Sequence, residues 1–173
     1  VSTCPPSQPT CEQAELLLKN KRYALNFSGT SEYLETNAVA SDLNIDGANA
    51  RTVSAWAYTR TFDDNAAIYS LGTTGSAGQD FSLRTLPGSN SWRAQFWGAA
   101  DIDFDTTTVG VTSLNQWVNF IITYDGTNTV IYVNGTEIAN ATSSLNTVDT
   151  EVFRIGWWTN RPSTDTFDGL IHD

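Results

Sequence analysis

The stretch from Trp117 to Gly135 constrains the fold of this chain more than any other segment. Two runs rich in β-branched and aromatic residues flank Asp125-Gly126, and the second run ends at Asn134-Gly135. Asp-Gly and Asn-Gly readily supply the positive φ angles that tight hairpin turns need. The stretch therefore predicts a strand, a turn, a second strand and a second turn.

Side chains alternate along the first of these runs. Phe120, Ile122 and Tyr124 occupy every second position, so they share one face of a strand. Segments of this kind recur from Tyr23 onward, and no helix longer than a turn or two is expected there. Short strands without helical crossovers predict an all-β fold, a sandwich of two antiparallel sheets. The predicted strands are Tyr23–Phe27, Tyr33–Glu35, Thr52–Tyr58, Ala67–Gly72, Phe81–Thr85, Trp92–Trp97, Trp117–Tyr124, Thr129–Val133, Val152–Trp157 and Phe167–Ile171.

Length and charge restrict the classes of partner. The chain has 173 residues, enough for one domain with a real core, and its net charge is −10. Nucleic acids and anionic membrane surfaces would be repelled by this charge, so neither is an expected partner. No apolar run is long enough to span a membrane, so membrane insertion is not expected either. The composition fits a secreted or cell-surface protein, the alternative being that the acidity only keeps the protein soluble.

Residues 1–22 differ from the rest of the chain. Cys4 and Cys11 enclose a proline-rich loop, and a short helix-compatible stretch from Glu12 to Asn20 follows. We interpret 1–22 as a linker or the tail of a preceding module, and 23–173 as the domain. A local disulfide between Cys4 and Cys11 is predicted for an oxidising compartment, the alternative being two reduced thiols.

Five segments, in the same order along the chain, resemble the laminin G-like branch of the concanavalin A-like superfamily. Tyr23–Glu35 is similar to the first hairpin of that branch, and Thr52–Tyr58 to its Ser-x-Trp strand. Trp117–Gly135 resembles its Trp-led strand with Tyr-Asp-Gly and Tyr-Val-Asn-Gly, while Phe153–Gly156 and Phe167–Ile171 resemble its closing elements. The resemblance covers about residues 23–173 and implies a jelly-roll sandwich that binds glycans or proteins outside the cell.

The resemblance also implies a structural Ca²⁺ held by Glu32, Asp168 and Asp173, whose carboxylates are ligands that Ca²⁺ prefers. One departure weakens this assignment, because His172 stands where the family usually has Asp. In the family the closing strand continues several residues beyond the position of Ile171. The domain is therefore expected to be truncated in its last strand, with the first hairpin beside that strand.

The best candidate for a ligand site surrounds the two consecutive tryptophans Trp157 and Trp158. Two neighbours on a strand point to opposite sides, so we expect one in the core and assign Trp158 to the rim. Indole rings stack on the apolar faces of sugars, and amide, guanidinium and carboxylate groups bind hydroxyls. The alternative is that all the tryptophans belong to the core or cover a sheet edge. The predicted ligand residues are Trp97, Trp158, Asn160, Arg161 and Asp165.

Asp101, Asp103 and Asp105 resemble the Glu-x-Asp-x-Glu strand of laminarinase-type hydrolases in the same superfamily. Strand positions i and i+4 are about 13 Å apart, whereas a retaining glycosidase needs carboxyl groups about 5–5.5 Å apart. Aspartate is too short to bridge this difference. Repulsion among the three is expected to raise their pKa values. A solvated acidic edge or a cation-binding rim are the alternatives, and no enzyme is predicted.

Three hypotheses for function follow. The leading one is a non-catalytic binding or adhesion module that recognises a carbohydrate or glycoprotein through one rim. The second is a structural repeat of a surface filament or appendage, held by contacts with neighbouring modules or subunits. The third is a glycoside hydrolase centred on Asp101, Asp103 and Asp105.

Overall fold

The computed structural model describes residues 23–63, 65–88, 90–159 and 166–173. These residues form twelve β-strands and one 3₁₀ helix, Thr106–Val109, which confirms the predicted all-β class. The strands are β1 (Leu25–Ser28), β2 (Leu34–Val39), β3 (Arg51–Thr59), β4 (Ala67–Leu71), β5 (Ser82–Thr85), β6 (Ser91–Gln95), β7 (Ile102–Asp105), β8 (Trp117–Tyr124), β9 (Asn128–Val133), β10 (Thr136–Thr142), β11 (Val152–Ile155) and β12 (Asp168–His172).

The strands form two antiparallel sheets of six strands each, as the sequence predicts. The first sheet has the order β1-β12-β3-β8-β9-β10, and the second has the order β2-β11-β4-β5-β6-β7. Neighbouring strands in each sheet run in opposite directions. Residues that alternate along the strands fill the space between the sheets, so the core is a layer of apolar side chains.

The two predicted turns organise the β8-β9-β10 meander. Asn134 and Gly135, between β9 and β10, both have positive φ angles of 49° and 80°. Between β8 and β9, Gly126 has a φ of 101°, and Asp125 accepts a hydrogen bond from the backbone N–H of Asn128 at 2.7 Å. That bond is the largest cause of the lowered pKa of Asp125. Local turn chemistry therefore sets the register of these three strands.

Aromatic side chains dominate the contact between the sheets. Trp92 of β6 is fully buried, and its ring lies 4.6 Å from that of Phe120 on β8. Its indole N–H donates to the Ser113 hydroxyl at 3.0 Å, so its polar atom is satisfied within the core. Phe120, Ile122 and Tyr124 are all buried, which confirms the alternation predicted for this strand.

Two strands, β7 and β10, are absent from the predicted segments. Each lies at the edge of its sheet and pairs with one neighbour. β10 has the sequence Thr-Glu-Ile-Ala-Asn-Ala-Thr, in which Glu, Ala and Asn are depleted from strands generally. Pairing with β9, rather than intrinsic propensity, therefore makes this segment a strand.

The expected first hairpin within Tyr23–Glu35 needs correction. β1 lies in the first sheet and β2 in the second, so the two strands do not pair with each other. The chain passes between the sheets through Gly29 and Ser31, which both have positive φ angles. β1 instead pairs with β12, the predicted neighbour, and β2 pairs with β11.

β3 is paired along its whole length on one side and along half of it on the other. β12 pairs with β3 from Trp56 to Thr59, whereas Arg51–Ala55 pair with β8 and with no described strand on the opposite side. A groove of about 220 Å³ opens there, lined on the first sheet by Val53 and on the second by Tyr69 and Phe153. The Tyr69 hydroxyl is buried and has no hydrogen-bond partner among the described residues.

Candidate functional site

The outer face of the second sheet carries polar side chains at its centre. Along β5 and β6, Leu83 and Ala94 face the core, so Ser82, Arg84 and Gln95 point away from it. An outward face normally meets water, yet each of these three side chains is at most 5% exposed. They therefore lie beneath another part of the chain.

Trp158, which follows β11, covers the buried polar side chains Ser82, Arg84 and Gln95, which we call the polar floor of the site. Its indole N–H donates to Asp80 Oδ2 at 2.7 Å, and the Arg84 guanidinium carbon lies 4.8 Å from the centre of its ring. Guanidinium groups are attracted to the face of an indole, most strongly where water is excluded. The indole is therefore anchored at its nitrogen and across its ring.

Hydrogen bonds connect the floor to the edge of the sheet. Arg84 Nε and Nη2 donate to Gln95 Oε1 at 3.0 and 2.8 Å. Gln95 Nε2 in turn donates to Asp101 Oδ2 at 2.7 Å, and Asp101 Oδ1 accepts from the backbone N–H of Phe96, also at 2.7 Å. The guanidinium, amide and carboxylate groups are therefore held in fixed orientations.

Asp80 is the most perturbed carboxyl group of this network. Burial raises its pKa to about 7, while hydrogen bonds from Ser82 and Trp158 favour the charged form without cancelling the effect of burial. Asp80 is fully buried two residues before β5, beneath Trp158. The network therefore changes charge close to neutral pH.

Arg93 forms the open edge of the site. Its Nη2 donates to Asp103 Oδ2 at 2.7 Å and its Nε donates to Asp103 Oδ1, while its Nη1 lies 3.7 Å from Asp101 Oδ2. This two-point contact lowers the pKa of Asp103. Because Arg93 and Asp103 are both partly exposed, they present a guanidinium and a carboxylate to solvent.

The expectation that Asp101, Asp103 and Asp105 raise one another's pKa values is wrong for Asp103. Arg93 lies beside it and favours its charged form. Asp105 has a separate role, since it caps the 3₁₀ helix by accepting the Thr107 backbone N–H at 2.8 Å. Each of the three carboxylates therefore has its own hydrogen-bond donors.

Trp97 stands beside this network in an unusual conformation. It lies two residues after the end of β6 and is half-buried. Its backbone φ of 47° is positive, which is rare for a bulky residue. Its carbonyl accepts the Gly78 N–H at 2.8 Å, and its ring centre lies 6.4 Å from that of Trp158. A strained backbone that surrounding contacts hold in place is a feature of functional sites, and here it sets the direction of a large aromatic ring.

The structure brings Trp97 and Trp158 together, but the assignment of Trp158 to the rim needs correction. Trp158 is only 2% exposed, because its indole lies against Asp80 and Arg84. Its neighbour Trp157 is the more exposed of the pair and packs against Tyr33, with ring centres 4.7 Å apart. The remaining predicted ligand residues, Asn160, Arg161 and Asp165, lie outside the described residues.

Sequence reasoning missed Asp80 and Arg84 as members of the site. The signal is the alternation of Asp80, Ser82 and Arg84 with the apolar Phe81 and Leu83. Such a pattern places three polar groups on one outward face. It gives no indication that Trp158, far along the chain, covers that face.

The three predicted calcium ligands do not form one set. Glu32 accepts the Ser28 N–H at 2.5 Å, and Ser28 pairs with Asp168, so these two carboxylates lie at the same end of β12. Asp168 is already paired with Arg60 at 3.1 Å, and Asp173 follows the other end of the strand. Among the residues with described positions, no group of three metal-binding side chains was found.

Calcium binding stays a prediction, and thermal unfolding tests it. If Ca²⁺ binds the folded chain, the melting temperature in millimolar Ca²⁺ is expected to exceed that in EDTA. Asp173→Asn is expected to leave this difference intact, because Asp173 is separated from Asp168 by the length of β12. An unchanged melting temperature in the original protein would contradict the prediction.

The predictions about the disulfide and about a membrane span depend on which residues the structure describes. Cys4 and Cys11 lie outside them, so their disulfide stays a prediction. In the part of the chain that the structure does describe, no helix is long and apolar enough to cross a membrane.

Comparison with protein families gives one match. A laminin G-like family model, described as the concanavalin A-like lectin/glucanases superfamily, matches residues 28–173. A comparison with curated protein sequences found no match.

Solved structures with a similar fold include sugar-binding modules and a laminin domain pair. The CBM40 of Ruminococcus gnavus IT-sialidase, bound to α2,3 sialyllactose, is 15% identical with a TM-score of 0.63, covering 87% of this chain and 86% of that one. Domain 4 of AbnA, a GH43 extracellular arabinanase from Geobacillus stearothermophilus, in complex with arabinotriose, is 18% identical with a TM-score of 0.52, covering 86% and 67%. Domains LG4-5 of the mouse laminin α1 chain are 13% identical with a TM-score of 0.55, covering 87% and 40%. At these identities the likeness concerns the fold.

Proposed function

Because the chain belongs to the concanavalin A-like lectin/glucanase superfamily, we propose that it is a non-catalytic extracellular module that binds carbohydrate. The site is the outer face of the second sheet beside Trp97. The observation that carries the proposal is the adjacency of an oriented, half-buried indole to a fixed row of hydrogen-bonding groups. Solved neighbours of this fold in complex with sialyllactose and arabinotriose support the class of ligand.

The chemistry of this face suits a sugar. The Trp97 ring offers a flat apolar surface to the C–H groups of a pyranose or furanose. Arg93 supplies N–H donors, and Asp101 and Asp103 supply carboxylate acceptors, for the hydroxyl groups at the edge of the ring. These polar groups bond to one another in the free protein, so little side-chain ordering is needed on binding.

The hydrolase alternative has weaker support. Asp101 accepts from the Phe96 N–H and from Gln95, Asp103 is paired with Arg93, and Asp105 caps a helix. Burial, which raises the pKa of catalytic acids, affects Asp80 most strongly, and Asp80 lies beneath Trp158. A reducing-sugar assay on β-glucans and arabinans is expected to find no activity, and a rate that Asp103→Asn abolishes would contradict this.

A glycan array followed by titration calorimetry tests the binding proposal. Trp97→Ala and Arg93→Gln are each expected to weaken binding of the best array ligand at least about tenfold, as loss of about 1.4 kcal/mol of interaction would. Thr123→Ala, on the outer face of the first sheet, is the matched control and is expected to bind as the original chain does. Melting temperatures separate lost binding from lost folding. An array without any ligand, or unaltered affinity in both site variants, would contradict the proposal.

A further inference from the structure

A second aromatic surface lies on the opposite side of the sandwich. On β3, Ala57 faces the core, so Trp56 and Tyr58 point outward, and on β8 Val118 is buried, so Trp117 points outward as well. Trp56 is 37% exposed and Trp117 is 40% exposed. These rings take no part in the core or in the site beside Trp97.

The two exposed indoles share one cleft. It has a volume of about 370 Å³ and is lined by Tyr23, Ala24, Trp56, Trp117 and His172. The sheet fixes its walls, because His172 of β12 is opposite Trp56 and Trp117 of β8 is opposite Tyr58. Tyr58 supports Trp117 edge-on, with ring centres 5.8 Å apart. The cleft is therefore built on regular strands rather than on loops.

We propose that this cleft is a second carbohydrate site, which takes a neutral sugar residue against the indoles of Trp56 and Trp117. Two indoles offer apolar surface for the C–H faces of a sugar ring, and the Tyr23 hydroxyl and the His172 imidazole can bond to its hydroxyl groups. The site is independent of the one beside Trp97, since it lies on the other sheet.

Charge selects a neutral ligand. None of the described residues that line the cleft is an arginine or a lysine, and His172 is paired with the Asp173 carboxylate at 3.0 Å. The net charge of −10 on the chain adds long-range repulsion of anions. A sialylated or uronic acid-containing sugar would therefore find no arginine or lysine among the described lining residues.

Size favours a sugar over a folded protein partner. A stable protein interface commonly involves about 20–30 residues on each side. Five of the described residues line this cleft, with Tyr58 behind them. A surface of this size matches one or two sugar units. Two sites on opposite faces would let one module contact two glycan chains.

Affinity gel electrophoresis tests the proposal on polysaccharides. The probes are neutral soluble glucan, xylan and arabinan, with polygalacturonate as the anionic probe. Trp56→Ala and Trp117→Ala are each expected to weaken retardation by at least one neutral probe about tenfold or more. Trp56→Phe and Trp117→Phe keep an aromatic ring and are expected to lose less. Tyr132→Ala is the matched control, because Tyr132 is half-exposed on the same outer face but outside the cleft.

The outcomes separate this site from the one beside Trp97. Retardation lost in the Trp56 and Trp117 variants but kept in Trp97→Ala supports the second site, whatever the fate of the first. Equal retardation of the original chain and both cleft variants, or no retardation by any neutral probe, would overturn the proposal. It would also be overturned if light scattering showed a dimer that Trp56→Ala converts to a monomer, because the cleft would then be a protein interface.

Discussion

Replacing Asp80 by asparagine is expected to remove a loss of stability that the original chain shows between about pH 4 and pH 7. The ordinary pKa of the carboxyl group is 3.8, and burial raises it to about 7 in the folded chain. The folded state therefore holds a proton that the unfolded state releases over this range. The stability that protonated Asp80 contributes is complete below its ordinary pKa and is lost as the pH rises towards 7.

The size of this effect follows from the change in pKa. A difference of about three pKa units corresponds to up to about 4 kcal/mol of unfolding free energy between the ends of the range. Asparagine stays neutral throughout, and its carbonyl oxygen can accept from the Trp158 indole N–H. Its NH2 group then faces the Ser82 hydroxyl, which can rotate to accept a hydrogen bond instead of donating one. Urea unfolding of both proteins at several pH values measures the difference.

Asp103→Asn is the matched control for the Asp80 experiment. Arg93 lowers the pKa of Asp103, so the stability that Asp103 contributes is present above its ordinary pKa and is lost as the pH falls. The two variants should therefore change the pH dependence of unfolding in opposite directions. Parallel curves for the original chain and Asp80→Asn would show that Asp80 is ionised in the folded state across the whole range.

Arg51→Ala is expected to destabilise the fold by at least about 3 kcal/mol, since hydrogen bonds from charged groups contribute roughly 1.5–3 kcal/mol each. Arg51 is only 6% exposed. Its guanidinium donates to the Gly47 carbonyl at 2.8 Å, to Thr147 Oγ1 at 3.0 Å and to the Ile45 carbonyl. It therefore ties the loop before β3 and the distant loop at Thr147 to the start of β3, and its loss removes all three bonds together.

Aromatic rings also hold the Arg51 side chain. Its guanidinium carbon lies 5.0 Å from the Phe81 ring centre and 5.4 Å from that of Tyr124. Arg51→Lys keeps the charge but not the planar fork, so it is expected to recover only part of the loss. Arg60→Ala is the control, because Arg60 also donates three hydrogen bonds, to the Phe27 carbonyl, Asn26 and Asp168. Its side chain is 36% exposed, so water can replace these bonds and its removal is expected to cost less than that of Arg51. Equal unfolding free energies for Arg51→Ala and Arg60→Ala would contradict the prediction.

Local sequence patterns predict those strands that are specified by their own residues and by an adjacent turn. β8 and β9 follow from alternation and from Asp125-Gly126, and both are found where expected. β10 could not be predicted in this way, because its residues favour other conformations and its pairing with β9 decides the outcome. A turn signal therefore reveals a strand only where the flanking residues also favour one, since β10 directly follows the Asn134-Gly135 turn.

The candidate site depends on contacts between distant parts of the chain, which explains what could not be predicted. Adjacent tryptophans must point to opposite sides, but the sequence does not say that the outer face beneath Trp158 carries Asp80, 78 residues away. Arg51 shows the same limit, since its acceptor Thr147 is 96 residues distant. Residue types and alternation can thus indicate a rim of aromatic and polar groups, but not which indole is covered.

The two halves of strand β3 differ in how well their backbone N–H groups are protected from hydrogen exchange. From Trp56 to Tyr58 its amide groups have a strand on each side, as in the middle of any sheet. From Arg51 to Ala55, alternate N–H groups point towards β8 and the others point into the apolar groove. Within the described part of the chain the second set faces no strand, so these N–H groups are expected to exchange faster than those of Trp56–Tyr58 and can bond to another extended backbone. Among the described strands, β3 thus combines an interior position in its sheet with an edge over half its length, and that edge lies next to the core.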